Sequence, residues 1–241
     1  MKVALIGYGK MGKAIEQICL ERGHEIAGII SDPEDSFDKI QGADVAIEFT
    51  MPESAVKNIS SCFENNIPVV VGTTGWYDSY EEIVAECKEK DACLFTATNF
   101  SLGVNVFFKL NAYLAKLMNN FPDYNIKMEE VHHKQKLDAP SGTAITLAHG
   151  IIEEVYRKDK WMSIEEGNIE SLDSFELPIH SFREDNVPGT HNIQYDSDID
   201  SIEIKHTAHN RKGFALGAVL AAEFIKGKKG ILGMDDMLKL N

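Results

Sequence analysis

The sequence predicts an α/β fold: a doubly wound parallel sheet, interrupted by an inserted α+β unit with an open mixed sheet. In the first hundred residues, short apolar runs alternate with amphipathic stretches. Continuous apolar runs are typical of parallel strands that helices cover on both faces. After Phe100 the strands alternate apolar and polar residues, which indicates a sheet with one polar face.

The first part of the chain is predicted to contain repeated β-α units. Such units imply right-handed crossovers within one sheet. We expect strands at residues 3–7, 26–30, 45–49, 69–72 and 93–97, and helices at 11–22, 53–65 and 80–90.

The second part combines helices with alternating strands. A final helix, within residues 213–230, is rich in small residues and is expected to pack back on the first unit. Before it we expect helices at residues 105–119 and 142–156, and strands at 125–133, 177–183, 191–196 and 201–207.

The composition argues against two classes of partner and indicates a compartment. The chain of 241 residues has a formal net charge of −14, so it repels nucleic acid and anionic lipid. Its four cysteines are scattered, as expected of free thiols in a reducing cytosol. Because a signal peptide and an apolar run of about 20 residues are both lacking, we expect a cytoplasmic protein with no membrane partner.

A glycine-rich turn predicts a dinucleotide site. Gly7, Gly9 and Gly12 form G-x-G-x-x-G directly after a predicted strand and at the start of a helix. The motif allows a tight turn, close approach of a pyrophosphate and close helix packing, with the helix amino terminus facing the phosphates. A purely structural turn is the alternative interpretation.

Asp32 is the expected ribose ligand. It lies 20 residues beyond Gly12, where the acid of a dinucleotide site is expected, and no arginine follows to meet a 2′-phosphate. Charge therefore favours NADH over NADPH, although Lys10 and other lysines could help to hold a phosphate. The alternative is that Asp32 only caps a turn before Pro33.

Two further segments are expected at the same cleft. "VGTTG" (71–75) and "TATNFSLGVN" (96–105) each follow a predicted strand, and ligands of open α/β sheets bind beyond the carboxyl ends of strands. On spacing alone, ordinary loop chemistry explains both segments equally well.

The segment "EEVHHKQKLDAPSGTA" (129–144) gathers positive and titratable groups. Adjacent strand residues point to opposite faces, so His132 and His133 face one ligand only if the strand ends there. Ser141 is placed to cap the following helix, and the N–H groups of Gly142 and Thr143 then form an anion site.

These residues suit a substrate that carries carboxylates. Lys136 adds a fixed positive charge, and a histidine can transfer a proton near neutral pH. Three other interpretations compete: both histidines are structural, they bind zinc, or the lysines form a solvated face. Zinc has no support from H-E-x-x-H or cysteine spacing, so we expect no metal.

The same segment closely resembles the E-x-H-H-x-x-K-x-D-A-P-S-G-T-A signature of the bacterial dihydrodipicolinate (4-hydroxy-tetrahydrodipicolinate) reductase family of lysine biosynthesis. The likeness extends to "GYGKMG", "EFTMPES", "VGTTGW", "NFSLGVN" and "IKHTAHNRKGFALGAV", in the expected order. The resemblance implies a Rossmann domain at residues 1–101 and 210–241. It also implies a substrate-binding and oligomerisation domain at 102–209, and a homotetramer.

The resemblance also implies residue roles. His132 would be the proton donor and Lys136 the second catalytic residue, while His133, Ser141, Gly142 and Thr143 would hold the carboxylates of a cyclic imine. NADH or NADPH would contact residues of four segments, namely Gly7, Tyr8, Gly9, Lys10, Met11 and Gly12; Asp32; Gly72, Thr73 and Thr74; and Ala97, Thr98, Asn99 and Phe100.

Some positions depart from the family pattern, and two other functions compete. The glycine loop is one residue short with Lys10 in place of arginine, Glu48 replaces an aspartate, and Asp32-Pro33 replaces an acid-arginine pair. These departures lie at positions that bear on the nucleotide preference. The competing functions are another NAD-dependent dehydrogenase of similar architecture and a non-catalytic NADH-binding module.

Overall fold

The computed structural model describes residues 1–164, 172–210 and 212–239. Arg211, which lies in the C-terminal segment quoted above, and residues 165–171 and 240–241 are outside the described residues. The strands are β1 (Lys2–Ile6), β2 (Glu25–Ile30), β3 (Val45–Glu48), β4 (Val69–Val71), β5 (Cys93–Thr96), β6 (Asn125–His133), β7 (Lys160–Ile164), β8 (Glu176–Glu184), β9 (Gly189–Asp196), β10 (Ser201–Ala208) and β11 (Gly230–Leu232). The α-helices are α1 (Lys10–Glu21), α2 (Pro52–Glu64), α3 (Tyr80–Glu89), α4 (Leu102–Met118), α5 (Gly142–Glu154), α6 (Lys212–Ile225) and α7 (Met234–Leu238).

One compact unit, Met1–Leu102 with Lys212–Asn241, is built on a parallel sheet. Its strand order is β11-β5-β4-β3-β1-β2, and each neighbouring pair is parallel. Successive strands are added on one side of β1 and then on the other, so the order reverses at the β1–β3 pair. Open α/β sheets bind ligands at such a reversal, beyond the carboxyl ends of the strands.

Helices cover both faces of this sheet, as the apolar runs predict. Val3 and Leu5 point into a core shared with α1 and α6, whereas Ala4 and Ile6 point into a second core shared with α2 and α3. All four side chains are essentially inaccessible to solvent. Burying one large aliphatic side chain contributes roughly 1.5–3 kcal/mol, so the two cores together hold the helices on the sheet.

The other compact unit, Gly103–Arg211, contains a mixed sheet in the order β10-β9-β6-β8-β7. β6 is parallel to β8 and antiparallel to β9, which confirms the predicted mixed sheet. The even-numbered residues of β6 are buried, and its odd-numbered residues are partly exposed. Side chains from α4 and α5, including Phe107, Leu147 and Ile151, pack with the buried side of the sheet.

The register of this sheet aligns five polar residues. Glu130 of β6 lies opposite Ser181 of β8 and opposite His191 of β9. Two residues further along β6, on the same face, His132 lies opposite Arg183. Directly opposed residues place their side chains on the same face, so the register itself brings these groups together.

Some elements differ from the predictions. β7, β11 and α7 were not predicted, and α4 begins three residues earlier than residue 105. β7 and β11 are short strands at the edges of their sheets, and their residues are at most partly buried, so they lack the apolar run of the inner strands. Within the described residues, no helix has the length and apolarity required to cross a membrane.

Gly217 of α6 tests how closely this helix is packed. A Cβ atom at Gly217 would lie 1.7 Å from the carbonyl oxygen of Phe100, whereas one at Gly213 of the same helix would lie 3.7 Å from its nearest neighbour. Alanine gains about 1 kcal/mol over glycine in helix propensity, but forced overpacking costs about 1–3 kcal/mol or more. We expect Gly217→Ala to lower the free energy of unfolding in urea and Gly213→Ala to leave it unchanged or higher. Equal stability of the two variants would contradict the close packing.

Candidate active site

The three motif glycines of the first unit serve two purposes, close packing and open space beside the backbone. Gly7 has φ +95°, and a Cβ there would lie 2.0 Å from the carbonyl oxygen of Phe49. At Gly12 a Cβ would meet the Gly7 carbonyl oxygen at 2.2 Å, whereas at Gly9 no atom lies within 4 Å. The outer glycines therefore serve packing, and Gly9 leaves open space at the helix start.

The start of α1 can accept an anion. Gly9 is the N-cap and provides no side-chain cap, so backbone N–H groups of the first turn remain for a ligand. Lys10 and Met11 line a cavity here together with Gly72, Thr73 and Thr74. Tyr8 is not among the residues that line this cavity, and its hydroxyl donates a hydrogen bond to Glu16 at 2.5 Å.

Asp32 lines an adjoining cavity with Gly7 and Gly9. One carboxylate oxygen accepts a hydrogen bond from the backbone N–H of Glu34 at 2.9 Å, so the turn-capping interpretation also applies. A carboxylate has lone pairs for further donors, which leaves Asp32 able to do both. Lys57 is a cation that lines the same cavity.

The residues after β5 occupy different surroundings. Ala97 and Thr98 line a groove with Tyr77, and the side-chain oxygen of Asn99 accepts from a backbone N–H two residues later. Phe100 is 3% exposed and its ring lies among other phenylalanine rings. Any contact of Phe100 with a ligand would therefore use its backbone.

Glu48, at the position that departs from the family pattern, is buried at the end of β3. Burial raises the pKa of its carboxyl group, although hydrogen bonds oppose the shift. The Thr50 hydroxyl donates to one oxygen, and Asn58 donates to the same oxygen at 3.4 Å. The other oxygen has no hydrogen-bond partner among the residues that the structure describes.

In the second unit, the end of β6 carries the paired histidines. His132 faces the buried side and His133 is partly exposed on the other side, as the alternation of strand residues requires. The strand ends at His133, whose carbonyl accepts from the backbone N–H of Lys136 at 3.0 Å. The Lys136 ammonium group contacts both carboxylate oxygens of Asp138, at 2.8 and 2.7 Å, and this contact is the main cause that lowers the pKa of Asp138.

The predicted helix start is confirmed by the geometry of α5. Ser141 is the N-cap, and its hydroxyl accepts from the N–H of Ala144 at 3.2 Å. A Cβ at Gly142 would meet no atom within 4 Å, so a ligand has room beside the backbone. Thr143 follows within this first turn.

A buried carboxylate behind this helix start was not identified from the sequence. Glu130 is inaccessible to solvent, and both of its oxygens accept from the backbone N–H of Ser141 at 3.1 Å. The Ser181 hydroxyl donates at 2.9 Å, and the Arg183 guanidinium lies 3.4 Å away. Burial alone would raise the pKa of Glu130, but the hydrogen bonds from Ser141 and Ser181 outweigh burial and lower it.

Arg183 also positions the connection that carries Lys136. Its guanidinium donates to the carbonyl of Asp138 at 2.7 Å and to that of Lys136 at 3.3 Å.

The period-2 pattern offered a signal for Glu130, because it precedes His132 by two residues and so shares its face. For Arg183 and His191 no such signal exists, since only the pairing of distant strands brings them here.

The two buried histidines have lowered pKa values. For His132, burial is the main cause, Lys136 and Arg183 add to it, and Glu130 opposes it. Burial lowers the pKa of His191 to about 3, so this imidazole stays neutral. Its Nε2 lies 3.1 Å from the Ser141 hydroxyl.

Glu130, His132 and His191 also have the spacing of metal ligands, because one donor atom from each lies within 4.8 Å of the others. The Glu130 carboxylate, however, already accepts from Ser141 and Ser181 and faces the Arg183 guanidinium. A cation there would have to displace protein donors, so we interpret the cluster as a carboxylate surrounded by protein donors, with two imidazole rings beside it.

Models of one protein family match both parts of the chain. The model described as "Dihydrodipicolinate reductase, N-terminus" matches residues 1–100, and the one described as "Dihydrodipicolinate reductase, C-terminus" matches residues 103–238. A 4-hydroxy-tetrahydrodipicolinate reductase of Christiangramia forsetii is 51% identical over 239 residues, which cover 99% of this chain and 98% of that protein. The enzyme of that name from Neisseria gonorrhoeae is 34% identical, with coverage of 94% and 84%.

Solved structures agree on the fold. A dipicolinate-bound dihydrodipicolinate reductase from Paenisporosarcina sp. TG-14 has a TM-score of 0.77 at 22% identity and covers 98% of each chain. An amine dehydrogenase from Mycobacterium smegmatis has a TM-score of 0.60 at 11% identity, with coverage of 96% and 94%. The fold is thus shared with other dehydrogenases, and sequence identity decides among them. The chain belongs to the dihydrodipicolinate reductase family, whose members are NAD(P)H-dependent oxidoreductases of lysine biosynthesis.

Proposed function

We propose how residues of this chain carry out the reaction of its family. In this reaction NAD(P)H reduces (2S,4S)-4-hydroxy-2,3,4,5-tetrahydrodipicolinate to (S)-2,3,4,5-tetrahydrodipicolinate and water. The observation that carries the assignment is the connection from β6 to α5. This connection joins an imidazole, an ammonium group and an uncovered helix start within twelve residues, His132–Thr143.

The substrate carboxylates bind at the start of α5. Backbone N–H groups of Gly142 and Thr143 are oriented toward an anion by the helix, and Ser141 fixes the turn through its cap. His133 adds a donor from the end of β6. Open space beside Gly142 supports this role.

The cofactor binds at the sheet reversal of the first unit. The residues fit a dinucleotide because Gly9 leaves space, α1 presents an uncapped start, and Asp32 lines the adjoining cavity. When bound, the nicotinamide supplies the hydride. We assign pyrophosphate contacts to Gly7, Tyr8, Gly9, Lys10, Met11 and Gly12, and nicotinamide-side contacts to Gly72, Thr73, Thr74, Ala97, Thr98, Asn99 and Phe100.

His132 donates the proton that completes the reduction, and Lys136 stabilises negative charge that develops on the substrate ring. A positioned acid typically contributes a factor of about 10²–10⁴ in rate. A fixed charge close to a developing anion contributes most where water is excluded. The burial of His132 and the partial burial of Lys136 support both roles.

The nucleotide preference gives one test. We propose that NADH is preferred, because the Asp32 carboxylate accepts a ribose hydroxyl and repels a 2′-phosphate. Initial rates on substrate generated in place from pyruvate and aspartate semialdehyde should be higher with NADH, and Asp32→Ser should raise the KM for NADH and lower that for NADPH. Glu34→Gln, a change in the neighbouring exposed acid, is the control and should leave the ratio unchanged.

Three results would contradict these assignments. A ratio that does not move in Asp32→Ser would leave this residue as a turn cap only. Nucleotide binding without turnover would favour the non-catalytic module, and turnover of a different imine or ketone would favour another dehydrogenase.

The catalytic pair gives a second test. We expect Lys136→Ala and His132→Gln to fold, to bind NADH and to lose at least about 10²-fold in kcat, because each removes a group that acts on the reacting ring. His133→Ala should instead raise the KM for the substrate. Lys134→Ala is the control, since this lysine is exposed and pairs only with the exposed Asp185 among the contacts that the structure describes. Equal kinetic behaviour of the two histidine variants would refute the division of roles.

We also propose that the chain forms a homotetramer, and the exposed apolar side of α4 supports this proposal. Its side chains Val106, Leu110, Tyr113 and Leu117 are 46–62% exposed and recur at helical spacing on one side. The opposite side of the helix is buried in the core of the same unit. Contiguous exposed apolar residues of this kind mark protein interfaces.

Light scattering on a sizing column tests this assembly. We expect the chain to elute at four times its subunit mass of 26.8 kDa, and the double variant Leu110→Asp/Tyr113→Asp to elute as a smaller species. Leu20→Asp, which alters an exposed apolar residue of α1, should keep the larger mass. A wild-type monomer would refute the proposal.

A further inference from the structure

Glu130 has no part in the roles assigned above, yet it contacts several residues that do. It lies on β6, two residues before His132, and accepts a hydrogen bond from Ser141 at the start of α5. A carboxylate without solvent exposure is costly unless donors surround it, so its presence at this position requires a physical explanation.

The carboxylate makes contacts in two directions. Toward α5, both oxygens accept from the Ser141 N–H at 3.1 Å, which fixes the first residue of the anion-binding turn. Toward β6, Oε2 lies 3.4 Å from Nδ1 of His132. That nitrogen forms no hydrogen bond with any residue in the described part of the chain, so an ion pair with Glu130 is the interaction available to a protonated ring.

The other charges around His132 act mainly against its protonation. Lys136 and Asp138 lie on the following connection, Arg183 lies on β8, and the neutral His191 ring of β9 stands edge-on with a centroid separation of 5.2 Å. Burial is the largest cause that lowers the pKa of His132, and the two cations lower it further. Two carboxylates, Glu130 and Asp138, raise the pKa of His132 against this effect, and Glu130 raises it more.

We propose that Glu130 is a positioning residue that holds the His132 ring and the first turn of α5 in a single arrangement and favours the protonated form of the ring that catalysis requires. This inference rests on the proposed role of His132 as the proton donor. Glu130 touches neither substrate nor cofactor in this assignment and acts only through its two neighbours. A neutral residue of the same shape would preserve the packing and remove the charge.

Glu130→Gln provides that change, because its amide carbonyl still accepts from Ser141. The matched control is Glu129→Gln, which alters the adjacent acid on the opposite face of β6, where its partner is Lys127 at 3.5 Å. Histidine-labelled protein in the presence of a chelator is titrated by NMR, and the His132 signal is assigned by its loss in His132→Gln. The rate profile of kcat against pH is recorded on the same samples.

We expect Glu130→Gln to lower the measured pKa of His132 by roughly 1–3 units and Glu129→Gln to leave it unchanged. Because the protonated ring is the active form, the limb where kcat falls with rising pH should move toward acid by the same amount. KM should change less than kcat. Glu130→Asp keeps the negative charge but places it one methylene farther from His132. The pKa of His132 in this variant should therefore lie between its values in the wild type and in Glu130→Gln.

The outcomes separate this inference from the proposed function. An unchanged His132 pKa in Glu130→Gln, or in Glu130→Asp if the glutamine variant does not fold, overturns the inference and leaves the proposed function standing. Equal pKa values in the two variants would also overturn it, because charge would then have no role. If Glu130→Gln lowers the pKa of His132 but leaves the profile of kcat against pH unchanged, the effect of Glu130 on His132 is supported. The role of His132 as proton donor is then overturned.

Discussion

Burial of the Glu130 carboxylate is the constraint on which the organisation of the second unit depends. The donors that make this burial tolerable come from three places, the Ser141 backbone, the Ser181 hydroxyl and the Arg183 guanidinium. Arg183 in turn binds the carbonyls of the connection between β6 and α5. The register of β6 with β8 and β9 is therefore tied to the position of the helix start, because a shift of one residue would leave a buried charge without partners.

A second constraint is electrostatic and applies to both units. A chain with a net charge of −14 repels a dinucleotide and a dicarboxylate at long range. Both proposed sites overcome this repulsion in the same way, with a helix that starts immediately beyond a strand or its connection and presents backbone N–H groups. Local dipoles act over a few ångströms, whereas salt screens the surface field beyond about 10 Å, so an acidic exterior and an anion site can coexist.

Most of the fold could be predicted from the sequence, because apolar runs and alternating strands reflect burial directly. The glycine loop, the Ser141 cap and the opposite orientation of His132 and His133 were predictable for the same reason, since each depends on residues close in the chain. β7 and β11 were not predicted, because both are short edge strands whose residues are at most partly buried, so neither shows the apolar run of an inner strand. Arg183 and His191 were missed because their proximity to His132 depends on strand pairing across some 50 residues.

The arrangement of β11 and α6 has a consequence for synthesis of the chain. Both elements come from the last thirty residues, yet β11 forms an edge of the parallel sheet and α6 supplies much of one of its two cores. The inserted unit precedes these residues in the chain, so all of its strands are synthesised while the first unit still lacks the helix that covers part of one apolar face. Such a face is open to aggregation. We therefore expect the strands made first to complete their sheet and core only after α6 and β11 have been synthesised.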